Sequence, residues 1–98
     1  MQVILERRAE IALRSLGSIE RKQIERSLEF LSEADLRTLM DSHRIRKLAT
    51  GFSAKALFVY RGNSKLRLVL SFENDVCKIE DVVDHDRLNR LAFGGGRK

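Results

Sequence analysis

The chain has 98 residues, with 19 lysines and arginines against 14 aspartates and glutamates and a formal net charge of +5 at pH 7. This length favours a single domain with one modest core, and 43% hydrophobic with 34% charged residues is typical of a globular protein, not a disordered one. The apolar runs are too short to cross a bilayer. A lone cysteine, Cys77, excludes an internal disulfide and favours a reducing compartment, so we expect a cytoplasmic protein. The positive net charge favours a polyanionic or acidic partner.

The first half of the chain predicts a strand followed by a helical hairpin. Residues 2–6 alternate between apolar and polar side chains, as in a short strand. Residues 8–16 and 19–33 carry apolar side chains at helical spacing, and Gly17-Ser18 separates them with the serine as the expected N-cap. Residues 32–41 fit either a short helix or a packed loop.

After Gly51 the hydrophobic period changes from helical spacing to alternation. Residues 55–61 predict one strand, and residues 65–72 and 76–83 predict two more, joined by a two-residue turn at Asn74-Asp75. The predicted order is β-α-α-β-β-β, an α+β domain with a small, mainly antiparallel sheet on a helical hairpin. We assign this domain to residues 1–93 and a flexible tail to residues 94–98, which are rich in glycine.

The predicted hairpin register divides the side chains between two faces of the sheet. On the apolar face Leu70 opposes Ile79, Leu66 opposes Val83, and Cys77 lies opposite Phe72 as a buried small side chain. On the open face the register places Arg67 across from Val82 and diagonal to Glu80 and Asp84. It places Lys65 directly across from Asp84. An exposed Arg67 would then stand near carboxylates.

The charge is unevenly distributed along these strands. Residues 42–72 contain seven lysines and arginines and no aspartate or glutamate, whereas residues 73–86 contain six acids and one lysine. A like-charged block repels itself unless something negative neutralises it. It is either a solvated surface paired with the acidic strand or a binding face for a polyanion, and its position on strands favours the second interpretation.

These features resemble the RelE/ParE toxins of bacterial type II toxin–antitoxin systems. The element order, the basic segment from Arg44 to Lys55, the strand SKLRLVLSF and His85 in DHDRL carry the likeness, which extends from Val3 to about Leu91. The resemblance implies a toxin that cleaves messenger RNA on the ribosome, without metal or other cofactor, and is silenced by a cognate antitoxin. The alternatives are a ParE-like toxin directed at DNA gyrase and a non-catalytic member that binds RNA or a peptide.

The resemblance also implies roles for individual residues. Arg67 matches the arginine that stabilises the transition state, and His85 matches a late basic residue that acts as acid or base. We add Glu80 to the candidate catalytic residues because the predicted register brings its carboxylate near Arg67. The expected RNA-binding residues are all basic and flank this centre: Arg46, Lys47, Lys55, Arg61, Lys65 and Arg87.

The chain departs from the family pattern at two points. Phe58 and Tyr60 occupy a strand that often carries lysines in active members, and no tyrosine follows His85. Both aromatic side chains fit sheet packing, and Tyr60 alternatively fits stacking on a nucleobase. His85 alternatively fits pairing with Asp84 or Asp86 at the end of the strand.

Overall fold

The computed structural model describes residues 1–48 and 56–89, so the predicted tail and Lys55 lie outside the described residues. The described elements follow in chain order: β1 (Gln2–Leu5), α1 (Arg7–Arg14), α2 (Ser18–Glu33), α3 (Leu36–Asp41), β2 (Ile45–Leu48), β3 (Leu57–Arg61), β4 (Leu66–Glu73), β5 (Val76–Asp84) and α4 (His85–Asn89). The predicted α+β class and the helical hairpin are confirmed. Within the described ranges, no helix is long and apolar enough to span a membrane.

One five-stranded sheet has the order β1-β5-β4-β3-β2. Strand β1 pairs in parallel with β5, and the pairings β5-β4, β4-β3 and β3-β2 are antiparallel. The prediction contained four strands and missed β2. Its apolar residues, Ile45 and Leu48, are three positions apart, so they point to opposite faces and give no alternating pattern.

The main core lies between the helices and one face of the sheet, here called the helix side. Ile24 and Leu31 of α2 are almost fully buried and Leu28 is partly buried, as the predicted stripe requires. They belong to one cluster with β-strand side chains that include Leu68, Leu70 and Ile79. Truncation of such a side chain to alanine typically costs about 2–5 kcal/mol, so this layer dominates the stability of the fold.

Two helix starts differ from the simplest sequence interpretation. Gly17, not Ser18, is the N-cap of α2, and no side chain caps this helix. In the ambiguous segment the Asp35 carboxylate accepts a hydrogen bond from Thr38 N at 2.7 Å and begins α3. This hydrogen bonding lowers the pKa of Asp35, because it stabilises the ionised carboxylate. The segment is therefore a short capped helix.

The turn between β4 and β5 confirms the first part of the predicted register. Phe72 opposes Cys77, which is fully buried, and Leu70 opposes Ile79. Asn74 adopts the left-handed backbone conformation with φ of 57°, which asparagine tolerates better than most residues. The two-residue turn at this position is thus observed.

Beyond Leu70 a β-bulge shifts the register by one residue. Val69 opposes Asp81, Leu66 opposes Asp84 and Arg67 opposes Val83, so the predicted pairs of Leu66 with Val83 and Arg67 with Val82 are wrong. The predicted pairing of Lys65 with Asp84 is shifted in the same direction. The Lys65 carbonyl accepts a hydrogen bond from the backbone N–H of His85, the residue that follows Asp84.

Burial explains the bulge. Strict alternation from Ile79 would turn Asp81 toward the helices and Val82 toward the open face. The extra residue instead lets Val82 join the helix-side core, while Val83 joins a second cluster on the open face. An irregularity in the ladder therefore keeps an aliphatic side chain in the helix-side core, whereas Asp81 lies opposite Val69 on the open face, where it is also buried.

The open face of the sheet has an apolar centre. Leu48, Val59, Val69 and Val83 from four strands pack there with Leu88 of α4. Helix α4 thus lies against the open face, and Arg61 and Arg67 lie on this face at the end of the sheet where β4 begins.

Candidate nucleic-acid interface

Three arginines lie on the open face at this end of the sheet and are here called the arginine cluster. Arg61 on β3 is directly opposite Arg67 on β4. Arg46 on β2 opposes Val59, which lies two residues from Arg61 on the same strand and therefore on the same face. The ladder thus brings Arg46, Arg61 and Arg67 together from three neighbouring strands.

The arginine cluster is an electropositive site. Partial burial lowers the pKa of Arg67, and the positive charges of Arg61 and Arg46 lower it further. In the described part of the chain, none of the three arginines forms a salt bridge with a carboxylate; the ion pairs seen there join Arg14 to Glu10 and Lys78 to Glu73. The side chains can therefore receive an anion, for which a guanidinium offers a bidentate fork.

Arg67 is held in place by the turn that precedes β4, and it is partly buried, whereas we expected it to be exposed. Its guanidinium donates to the carbonyls of Asn63 at 2.8 Å and Leu66 at 3.1 Å. The Asn63 side chain accepts from Lys65 N at 2.8 Å and Leu66 N at 2.6 Å, and donates to Gln23 Oε1 at 2.8 Å. Sequence reasoning missed the contact between Asn63 and Arg67; the place of Asn63 in a Gly-Asn-Ser turn was the available signal.

His85 and Arg87 lie at the same end of the sheet. His85 follows β5 directly, and its backbone N–H donates to the carbonyl of Lys65 at 2.8 Å. The Asp84 carboxylate accepts from Arg87 N at 2.6 Å, which is the pattern of an N-cap for α4. The side chains of His85, Arg87 and Lys65 are exposed. Three further predicted site residues therefore adjoin the end that carries Arg67.

Glu80 lies away from the arginine cluster. It is at the bulge, where its carboxylate accepts a hydrogen bond from Ser71 Oγ at 2.6 Å. Arg67 opposes Val83, three residues farther along β5, which corresponds to about 10 Å at the usual rise of a strand. The predicted closeness of Glu80 to Arg67 is wrong because it used the unbulged register, and a catalytic role for Glu80 stays a prediction from sequence alone.

Of the predicted RNA-binding lysines, one faces away from the arginine cluster and one lies outside the described residues. Lys47 opposes Phe58, so strand alternation directs it to the helix side, away from its neighbour Arg46. Lys55 lies outside the described residues.

The aromatic residues of β3 also face the helix side. Tyr60 is fully buried and its ring stacks on that of Phe30, with centroids 6.1 Å apart. Phe58 meets Phe72 edge to face at 5.4 Å. Sheet packing thus accounts for both residues, and Tyr60 does not lie on the open face as a platform for a base.

Comparison with known proteins identifies the fold. No family model and no curated protein matches the sequence. The archaeal RelE–RelB complex from Pyrococcus horikoshii matches with a TM-score of 0.66 and 20% identity, over 88% of this chain and 96% of that one. The YoeB–YefM toxin–antitoxin complex from Staphylococcus aureus matches with a TM-score of 0.64 and 17% identity, over 87% and 97%. The E. coli RelBE toxin–antitoxin complex matches with a TM-score of 0.50 and 22% identity, over 84% of this chain and 93% of that one. The chain has the fold of the RelE and YoeB toxins.

Proposed function

We propose that this protein is the toxin of a type II toxin–antitoxin system and that it cleaves messenger RNA on the ribosome. The observation that carries the proposal is the arginine cluster, three guanidiniums gathered on an open sheet face without a carboxylate partner in the described part of the chain. The RelE-like fold supports it. A substrate on the ribosome requires a cytoplasmic protein, which is the location we propose.

The chemistry we propose uses the RNA as its own nucleophile. The ribose 2′-oxygen attacks the adjacent phosphorus while the bond from phosphorus to the 5′-oxygen breaks, giving a cyclic phosphate and a free 5′-hydroxyl. A base must take the 2′ proton, an acid must protonate the leaving oxygen, and cations must stabilise the charge on the phosphate. No redox step is involved, and we propose that no cofactor takes part.

Each residue of the interface receives a role in this proposal. Arg67 and Arg61 bind the reacting phosphate, and Arg46 binds a neighbouring one. His85 exchanges a proton as acid or base, a function typically worth about 10²–10⁴ in rate. Lys65 and Arg87 contact flanking phosphates, where they add affinity without reading sequence.

We also propose that a cognate antitoxin binds the protein in a hetero-oligomer. Four of the similar structures are complexes of RelE with RelB or of YoeB with YefM. The net charge of +5 fits a partner with an acidic segment.

Primer extension on a defined messenger RNA, translated with purified ribosomes, tests the proposed activity. We expect new 5′ ends within the reading frame with the wild-type protein and a loss of about 10²–10³-fold with Arg67→Gln. Arg14→Gln is the matched control, because Arg14 is an exposed arginine of α1 that pairs with Glu10. Absence of cuts, together with inhibition of supercoiling by purified gyrase, would replace this proposal with the ParE-like alternative.

A further inference from the structure

A second cationic site lies on the helix side of the sheet, between α2 and the end of β3. It is a cavity of about 290 Å³ whose lining includes Arg26, Phe30, Arg44, Tyr60 and Asn63. Neither Arg26 nor Arg44 is among the RNA-binding residues predicted from the sequence. The arginine cluster lies on the opposite face of the sheet, so the two sites have different cations, although Asn63 lines the cavity and also accepts a hydrogen bond from Arg67.

The two arginines of the cavity have no acidic partner within residues 1–48 and 56–89. The Arg44 guanidinium carbon lies 4.9 Å from the centre of the Tyr60 ring and 5.5 Å from that of Phe30. Cation–π contact orients this guanidinium but does not neutralise its charge. Glu25 and Glu29 line a neighbouring groove on α2 that Arg26 also borders, and they do not line the cavity.

The Tyr60 hydroxyl is a second, independent indication of a ligand. Its oxygen is buried and has no hydrogen-bond partner among the described residues. Burial raises the pKa of Tyr60, and the charge of Arg44 opposes that rise only in part, so the hydroxyl keeps its proton at neutral pH and remains a donor. A buried donor without an acceptor is unfavourable, and an incoming oxygen acceptor relieves that cost.

We propose that this cavity binds a carboxylate side chain from an acidic peptide segment of a partner protein. The guanidiniums of Arg26 and Arg44 and the phenol of Tyr60 are hydrogen-bond donors, and both oxygens of a carboxylate are acceptors. Bidentate pairing of a carboxylate with an arginine is the strongest contact of this kind. Phe30 is 39% exposed and gives an apolar contact for a residue next to the acid. If the partner is the antitoxin, the inference rests on the proposed function; the carboxylate site itself does not.

A peptide fits the cavity better than RNA does. The phosphate backbone of an RNA bound to the arginine cluster runs along the opposite face of the sheet. The rings of Phe30 and Tyr60 already contact each other and Arg44, so a nucleobase would have to displace those contacts before it could stack.

Fluorescence anisotropy with a labelled peptide that alternates Asp-Glu with Leu tests the inference on the full chain. The same peptide with Asn-Gln in place of Asp-Glu measures the part of the affinity that depends on carboxylates. We expect the amide peptide to bind at least about tenfold more weakly, since charge-assisted hydrogen bonds are lost. Equal binding of the two peptides would overturn the inference.

Two neighbouring arginines provide a matched pair of variants, because Arg44 borders the cavity and Arg46 belongs to the arginine cluster. We expect Arg44→Gln to weaken the acidic peptide about tenfold and to leave binding of a short single-stranded RNA unchanged, and Arg46→Gln to do the reverse. Weaker RNA binding by Arg44→Gln, or displacement of the peptide by RNA, would make the cavity part of the nucleic-acid interface and refute the inference.

Tyr60→Phe is a second variant in case Arg44→Gln fails to fold, since it keeps the ring and removes only the hydroxyl. We expect it to weaken the acidic peptide severalfold, and unchanged affinity would exclude the hydroxyl from the site. Messenger RNA cleavage is measured in parallel. Absence of cleavage by the wild-type protein refutes the proposed function, whereas peptide binding that is insensitive to Arg44 refutes this inference.

Discussion

Asn63 links helix α2 to the arginine that we place at the reacting phosphate. Replacing it with alanine removes the acceptor of Lys65 N and Leu66 N and the donor to Gln23. At about 0.5–1.5 kcal/mol net for each hydrogen bond, with two of the three exposed, we expect the free energy of unfolding to fall by about 2 kcal/mol. A domain of this size with ordinary stability of at least about 5 kcal/mol remains folded after such a loss.

The loss of activity should exceed what this change in stability explains. The Asn63 carbonyl accepts from the Arg67 guanidinium, so a relaxed turn also releases Arg67. We expect cleavage to fall about tenfold, less than the loss for Arg67→Gln, because the guanidinium is still present but no longer oriented. Gln23→Ala is the matched control, since it removes only the exposed bond between the two side-chain amides.

Urea unfolding and single-turnover cleavage, measured on both variants and on the double variant Asn63→Ala with Arg67→Gln, test this account. If Asn63 acts through Arg67, the double variant cleaves no more slowly than Arg67→Gln alone. Fully additive losses in cleavage, or equal losses for Gln23→Ala and Asn63→Ala, would refute the positioning role.

Three further predictions follow from single side chains. His85→Gln should lower cleavage about 10²–10⁴-fold while the variant stays folded in a urea titration, because the side chain is exposed; wild-type cleavage in this variant would remove His85 from the mechanism. Tyr60→Phe should keep or raise the free energy of unfolding, by up to about 1 kcal/mol, because the buried hydroxyl lacks an acceptor among the described residues; a clear loss in a denaturant titration would show that the hydroxyl has a stabilising partner. Burial raises the pKa of Cys77 to about 11, so little thiolate exists at pH 8 and iodoacetamide should modify the thiol only after denaturation; rapid alkylation of the native protein would contradict the core packing.

The regular parts of the fold could be predicted from the sequence. Ile24, Leu28 and Leu31 recur at helical spacing, and Leu68 and Leu70 alternate with residues of the other face, so each pattern matches the geometry of its element. The resemblance to the RelE/ParE toxins gave the same fold that the similar structures have. Local periodicity sufficed here because one face of each element is buried.

The irregular features could not be predicted because they depend on contacts between distant residues. The bulge lets Val82, and not the Asp81 carboxylate, pack against the helices across the sheet, and these helices lie far from both residues in the chain. Strand β2 is held by pairing with β3 and not by its own pattern. The role of Asn63 depends on Gln23, which is 40 positions away in the chain.

These irregular features also decide the composition of the candidate interface. The strand pairing, with β2 added at the edge, groups Arg46 with Arg61 and Arg67. The bulge separates Glu80 from Arg67, whereas the unbulged register brought the two together. The arginines of the site were therefore largely predictable from the strand pattern. The position of the Glu80 carboxylate relative to them was not, because it depends on the bulge.

The salt dependence of RNA binding tests the central claim most directly, which is that Arg46, Arg61 and Arg67 together bind RNA phosphates. The logarithm of the binding constant for single-stranded RNA falls with the logarithm of salt concentration with a slope of about −0.7 for each phosphate neutralised. Three such contacts give a slope of about −2 or steeper, and Arg67→Gln should reduce it by about 0.7 while Arg14→Gln leaves it unchanged. An identical slope for the wild-type protein and Arg67→Gln would contradict the account.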